Sequence, residues 1–343
     1  MKKLLNILYV NQPDCYLTLE NETVCVQKDN EILLRIPLLN LEGIITFGYA
    51  GASPALMRAC AGNGVAISFC TPSGRFLARV TGEIQGNVVL RKTQYRISDD
   101  EEKSCLFARN FLFGKLYNAK WILERACRDY SLRLDVQRLK AASGQITEVM
   151  EPLLRCTDLQ LLRGLEGTAA ASYFREFDQL ILQNKDAFSF DGRHKRPPTD
   201  PVNALLSFSY TLLAHDCQSA LESVGLDPYV GFLHRDRPGR ASLALDLMEE
   251  LRGVIADRFV LSLINRKELK PNDFITSENG AVRLKDESRK TFLSAWQNRK
   301  REVITHPFLK EKLEWGLVPY VQALLCARTL RGDLESYPPF LWK

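Results

Sequence analysis

The chain is short of the features that most directly announce a function. It has nine cysteines but no C-x-x-C pair, and nine is an odd number. Most sit in apolar runs, such as Cys25 in TVCVQ and Cys70 in AISFC. They read as small buried hydrophobes in a reducing compartment, which excludes a disulfide framework and argues against thiolate-held zinc. No run approaches the roughly 18 apolar residues of a membrane span. The first residues, MKKLLNILYVNQPDCY, carry two lysines and a short apolar stretch but no small-residue cleavage site, so a cytoplasmic protein away from membranes is expected. There is no internal repeat and no low-complexity tract. Lys and Arg number 46 against 41 Asp and Glu, a net charge of +5. Such a small excess permits a nucleic-acid partner without requiring one.

What is present is ordinary globular material. The chain has 343 residues, 45% hydrophobic and 25% charged. On a prior of roughly 150 residues per domain, that suggests about two domains. Short β-prone runs crowd the first part: Ile7–Val10, Tyr16–Glu20, Thr23–Gln27, Glu31–Leu38 and Gly43–Gly48. Turn-formers separate them, and their even spacing predicts antiparallel pairing. Ser53 and Pro54 start a helix through Asn63. Val65–Cys70 and Arg75–Gly82 return to strand around a turn at Pro72-Ser73-Gly74. Near Ser98 the pattern becomes helical, with Asp99, Asp100, Glu101 and Glu102 at a helix start. Helices are predicted over 101–129, 158–184, 201–224, 241–265, 287–302 and 311–331. The expected fold is α+β: a small, mostly β domain over 1–97, followed by a larger, all-helical domain over 98–343.

Three separated groups could meet at one divalent metal. Glu166 lies mid-helix in RGLEGTAAASYF, where Gly164, Gly167 and the alanine run suggest close approach of a backbone or a ligand. Asp246 and Glu249, in SLALDLMEELR, are three apart on a helix and therefore neighbours on one face, or else part of a solvated acidic stripe. His234, in GFLHRDRPGR, precedes them at H-x11-D-x-x-E spacing. Carboxylates plus an imidazole form a hard-leaning set suited to Mg2+ or Mn2+.

Basic residues cluster at 193–196, at Arg235, Arg237 and Arg240, and over Arg283–Arg301. Arg193, Lys195, Arg196, Arg235 and Arg237 are candidate DNA-binding residues, or else solvated surface. Tyr210, in NALLSFSYTLL, is a core tyrosine or a supporting site residue.

Taken together, RGLEGTAAASYF, RPPTDPVNALLSFSYTLL, GLDPYVGFLHRDRPGRASLALDLMEELR and AWQNRKRE resemble the CRISPR-associated adaptation integrase family over essentially the whole chain, with a layout most like the type I-C form. The resemblance implies that Glu166, His234 and Glu249 are catalytic and metal-binding, with Asp246 supporting. It implies a DNA endonuclease and integrase that uses Mg2+ or Mn2+ to join a spacer 3′-hydroxyl to the repeat by transesterification. It further implies double-stranded and branched DNA as substrates, a homodimer formed through the β domain, and a small ferredoxin-fold partner protein. Two rival readings of the residues are a non-catalytic nucleic-acid scaffold and a helical metalloenzyme acting on small diphosphates. The second would want an aspartate-rich helical motif, which is absent.

Overall fold

The computed structural model describes residues 7–72, 76–80, 82 and 88–343. Ser73, Gly74 and Arg75 of the expected turn and strand lie outside the described residues.

The N-terminal part is built from two sheets. Strands β1 (Ile7–Val10), β2 (Tyr16–Glu20), β3 (Thr23–Lys28), β4 (Glu31–Pro37) and β5 (Gly43–Phe47) precede helix α1 (Pro54–Gly62), which leads to β6 (Ala66–Cys70) and β7 (Phe76–Val80). β2, β3 and β4 pair antiparallel, as their tight turns require. The other sheet runs β1-β5-β6-β7 and corrects the antiparallel expectation. β1 and β5 are parallel, as are β5 and β6. α1 forms the crossover between β5 and β6, a connection that parallel neighbours need. Ser53 caps α1, its Oγ accepting from Leu56 N at 3.2 Å.

Strand periodicity then decides how this part is mounted. Ile44 and Ile67 point into a small core under α1 with Leu8 and Val10. The alternate residues Ile45, Phe47 and Cys70 face the opposite way and belong to the main helical core. Polar ties reinforce the seam: Asn11 Nδ2 donates to the Asp286 carbonyl at 2.6 Å, and Arg79 pairs with Glu222 at 3.0 Å.

The remainder is mainly helical: α2 (Val88–Asp99), α3 (Glu101–Asp129), α4 (Val136–Arg155), α5 (Leu159–Arg175), α6 (Pro201–Ser223), α7 (Ser242–Leu251) and α8 (Arg258–Asn265). Strands β8 (Phe274–Thr276) and β9 (Val282–Leu284), α9 (Asp286–Arg301), strands β10 (Val303–Thr305) and β11 (Lys312–Glu314), and α10 (Val318–Leu330) complete it. The two short hairpins correct the all-helical expectation. α2 and α4 lie where sequence periodicity predicted no helix, and Ser98 falls inside α2 instead of starting the next helix. Asp100 is the true cap of α3, accepting from Lys103 N at 3.0 Å. Asp135, Asp158 and Asp200 start α4, α5 and α6 in the same way. All nine cysteines are buried and unpaired with one another. Among the described residues, no helix is long and apolar enough to cross a membrane.

Candidate active site

Helix α7 organises the site. Every residue of it except Leu245 is buried. A helix covered all round must give each of its acidic side chains a partner. Asp246, Glu249 and Glu250 find three different ones, which removes the solvated-stripe reading.

Asp246 is fully buried and holds the loop that precedes its own helix. Its Oδ2 accepts from Phe232 N at 2.6 Å and Leu233 N at 2.9 Å. Its Oδ1 accepts from His234 N at 3.0 Å and meets His234 Nδ1 at 2.6 Å. The loop can wrap this closely because residue 231 is glycine. A Cβ there would lie 2.9 Å from Asp246 Oδ2 and 2.8 Å from the Ser242 Cβ. With Nδ1 engaged, Nε2 is the imidazole nitrogen left for a ligand. Burial works against protonated His234, but the hydrogen bond and charge of Asp246, with help from Glu249, outweigh it and raise its pKa.

Glu249 stands one turn further along and is 6% exposed. Burial would raise its pKa, but the Arg252 guanidinium, followed by Lys115 and His234, holds it well below the usual carboxylate range. Arg252 Nη1 reaches Oε1 at 2.9 Å and Oε2 at 3.0 Å. Lys115 Nζ, from α3, lies 2.6 Å from Oε2. Arg252 opens a π-helical turn, Arg252–Asp257, between α7 and α8. Across that turn, Asp257 Oδ1 accepts from the Tyr210 hydroxyl at 2.5 Å and Oδ2 from that of Tyr173 at 3.1 Å.

Glu166 comes from α5, whose cap at Asp158 sets its register. Leu162, Ala169 and Tyr173 are buried on α5, and Glu166 falls at helical spacing within that stripe. It therefore faces α3, where its Oε1 accepts from the same Lys115 ammonium. A Cβ at Gly164 or Gly167 would meet nothing within 4 Å. The expected close approach of another backbone does not occur; the glycines leave an open wall beside Glu166.

Glu166, His234 and Glu249 line one cleft of about 430 Å3, together with Arg163, Arg235 and Arg240. A second cleft, of about 580 Å3, shares Glu166 and is lined by Lys115, Arg175, Arg193, Lys195 and Arg252. The candidate DNA-binding residues are therefore divided. Arg235 rims the first cleft and pairs with Glu101 at 3.3 Å. Arg193 and Lys195 line the second, although Arg193 also braces the fold through Asn203 Oδ1 at 2.6 Å and Ser207 Oγ at 3.0 Å. Arg196 and Arg237 are exposed and line neither cleft. Tyr210 is buried outside both, its ring 4.5 Å from the Arg252 guanidinium and 5.2 Å from that of Arg193. Burial, then the Asp257 charge, pushes its hydroxyl pKa far up, so it supports Arg252 and is not a ready nucleophile.

Sequence reasoning missed Lys115, Arg163 and Arg252. Arg252 was accessible in principle, three residues after Glu249 on one helix face. Arg163 braces the histidine loop by donating to the Leu233 carbonyl at 2.6 Å. It precedes Glu166 by three residues, on a helix already singled out. Lys115 carries no local signal.

The donor set suits a hard divalent ion. Two carboxylates and an imidazole open to one cleft, and a carboxylate fixes the far imidazole nitrogen, the usual arrangement behind a metal-ligating histidine. As the side chains stand, no group of three or more His, Cys, Asp or Glu among the described residues is arranged to hold an ion. Instead the Lys115 ammonium lies between the two glutamates and marks where a cation is favoured.

The same architecture occurs in solved structures. A casposase bound to integration product superposes with a TM-score of 0.85 at 24% identity, over 98% of this chain and 93% of that one. A Cas6-RT-Cas1–Cas2 complex gives 0.83 at 23% identity, over 100% of this chain and 36% of the larger one. At these identities the likeness establishes a shared fold. Sequence similarity goes further: a family model described as CRISPR associated protein Cas1 matches residues 8–298. CRISPR-associated endonuclease Cas1 1 of Chlorobaculum tepidum is 50% identical over 343 residues, covering 100% of both chains. The chain belongs to the Cas1 family.

Proposed function

We propose that this chain is a divalent-metal-dependent DNA endonuclease and integrase of CRISPR spacer acquisition, in its type I-C form. The observation that carries the reading is the convergence of Glu166, His234 and Glu249 on one cleft, with Asp246 behind the histidine. The name of the Chlorobaculum relative, an endonuclease matched along its full length, supports the same reaction class.

Mg2+ or Mn2+ held by Glu166, Glu249 and His234 would lower the pKa of the attacking hydroxyl and offset charge on the phosphoryl oxygens. The chain's own residues do the rest. Asp246 keeps Nδ1 of His234 engaged, so that Nε2 is the nitrogen presented. Arg163, Arg235 and Arg240 at the first cleft, with Arg193 and Lys195 in the second, hold the phosphodiester backbone as fixed cations. The spacer 3′-hydroxyl loses its proton to solvent as its oxygen forms a bond to phosphorus in the repeat. The bond from phosphorus to the repeat 3′-oxygen breaks, and the departing oxygen gains a proton. With water as the attacking group, the same steps give hydrolysis. Branched and double-stranded DNA are the substrates.

Assembly is proposed through the β sheets. β4 is an edge strand on which Ile32, Leu33 and Leu34 are all exposed, a surface suited to a second copy of the chain. A small ferredoxin-fold adaptation protein is the proposed second partner, supported by family membership. The proposed setting is cytoplasmic.

The test is a purified-protein assay on branched DNA with MnCl2. Glu166→Ala should lower strand transfer and cleavage by about 100-fold or more, the effect of several kcal/mol of lost transition-state stabilisation. Measured without MnCl2, DNA affinity should stay within about three-fold, because an unmetallated carboxylate only repels phosphate. Lys195→Ala with Arg235→Ala should instead weaken binding and flatten its log–log salt dependence by up to about 0.9 per lost phosphate contact. Full strand transfer by Glu166→Ala would remove Glu166 from the catalytic set, and wild-type protein that binds this DNA without cutting or joining it in MnCl2 would be a nucleic-acid scaffold.

A further inference from the structure

Lys115 has no assigned role, yet it stands between two of the proposed metal ligands. Its side chain is 13% exposed, and its ammonium bridges Glu166 Oε1 and Glu249 Oε2. Those two carboxylates come from α5 and α7, and α3 supplies the cation between them. Arg252 contacts both oxygens of Glu249. Counting only these four groups, two negative charges meet two positive ones. The carboxylate pair is already neutral before any metal arrives.

A divalent ion entering between the glutamates would bring the group to a net charge of +2 with Lys115 still in place. Crowding an ammonium and a divalent ion onto the same oxygens is strongly unfavourable at low exposure. Lysine differs from arginine in having a flexible four-carbon stem and a single point charge, so it can leave. The structure also shows a space it borders. Lys115 lines the second cleft with Arg175, Arg193, Lys195 and Arg252, and that cleft adjoins the first at Glu166. A phosphate drawn there by the fixed cations would receive the displaced ammonium.

Resting on the metal reading of Glu166 and Glu249, we propose that Lys115 is a resident cation that occupies the metal position of the metal-free protein. On metal entry it turns into the adjoining basic cleft to hold a DNA phosphate beside the reacting one. Lys115 is then a positioning residue that couples metal loading to DNA binding. With the divalent ion in and Lys115 out, the remaining group carries +1, which one phosphate oxygen neutralises. Metal and DNA should each tighten the binding of the other, as linkage requires.

The experiment is calorimetric titration of the full chain with MnCl2 in the absence of DNA. Lys115→Met, which keeps length and removes charge, should bind Mn2+ at least about ten-fold more tightly than the wild type, because no cation must be displaced. Its metal-free form should melt lower, since Glu166 loses its ion-pair partner and Arg252 alone is left to offset two carboxylates, and Mn2+ should restore the melting point. Lys115→Arg should bind Mn2+ more weakly than the wild type, because a guanidinium fork grips carboxylates and is harder to displace. Titration of a plain duplex oligonucleotide completes the test. Added Mn2+ should steepen the salt dependence for the wild type by about 0.9, the value of one phosphate contact, but not for Lys115→Met. Mn2+ affinity that is unchanged or weaker in Lys115→Met, or unchanged in Lys115→Arg, would overturn the proposal and make Lys115 a strut. Wild-type Mn2+ binding that survives Glu166→Ala would overturn the metal reading itself, a separate result.

Discussion

Glu249 and Glu250 are consecutive residues of one buried helix, and they have opposite surroundings. Glu249 faces the cleft and is met by cations, Arg252 and Lys115. Glu250 faces the core and is met by neutral donors: the Tyr337 hydroxyl, Gln322 Nε2 at 2.8 Å and Phe340 N at 2.6 Å. Its backbone carbonyl accepts from Asn118 Nδ2 at 2.8 Å. The space around it is closed: a Cβ at Gly114 would lie 2.8 Å from the Glu250 Cβ. The cations hold Glu249 ionised, with its pKa well below the ordinary range. For Glu250, burial dominates over its hydrogen bonds and raises the pKa from 4.5 to about 7. Burial is common to both; cations beside one and neutral donors beside the other separate a site carboxylate from a structural one. Glu250 ties the C-terminal segment, through Tyr337 and Phe340, to the helix that carries the site.

The largest expected effect breaks the comparison by exchanging each acid for its amide. Glu249→Gln should lower nuclease and strand-transfer rates by about 100-fold or more, whereas Glu250→Gln should stay within about three-fold, measured on one branched DNA. Equal losses would mean that the two sides of α7 are not functionally distinct.

The pH dependence of stability sharpens it. Glu250 binds its proton more tightly when folded, so its contribution is full below pH 4.5 and is lost as pH rises through about 7. Glu249 has the opposite sign: its contribution is full above pH 4.5 and is lost as pH falls. Buried His215, whose pKa burial and then Arg79 lower from 6.5 to about 4, also loses stability as pH falls through that window. Glu250 and His215 therefore oppose each other in wild-type protein. Glu250→Gln should unmask a stability that rises from pH 4.5 to 7, by about 3 kcal/mol relative to wild type, in urea denaturation series. A slope identical to that of wild type would show that Glu250 is not protonated in the folded protein.

The smallest effect concerns one donor. Tyr337→Phe removes a hydroxyl from Glu250 and should cost about 1.5–3 kcal/mol at pH 8, where the carboxylate is ionised. The loss should shrink at pH 5, where the protonated acid needs the donor less. Denaturation at the two pH values measures the difference.

Much of the site was legible one residue at a time. The H-x11-D-x-x-E spacing placed His234 just ahead of the helix that carries Asp246 and Glu249, whereas the inner-facing position of Glu166, in line with Leu162, Ala169 and Tyr173, came from the structure. The helix starts expected at 158 and 201 fell in place because an aspartate caps each, Asp158 and Asp200. Helix α4 was missed although its buried Leu139, Ala142, Ser143, Ile146 and Leu153 recur at helical spacing; Ser143 and Gly144 in its middle and Pro152 near its end interrupt the local helix signals. The parallel pairing of β1 with β5 was missed because spacing between strands speaks only to neighbours in the chain.

By itself the sequence determined the α+β order, several helix starts and the local spacing of His234, Asp246 and Glu249. These follow from contacts within about a dozen residues, where periodicity and capping chemistry act. Tertiary structure alone decided which acids are charged. Glu249 and Glu250 are the same chemistry on one helix. Lys115 from α3, Arg252 across the π turn and Tyr337 from the C-terminal segment give them different fields. Coulomb and desolvation energies depend on distance in space and on exclusion of water, and neither can be read along a chain.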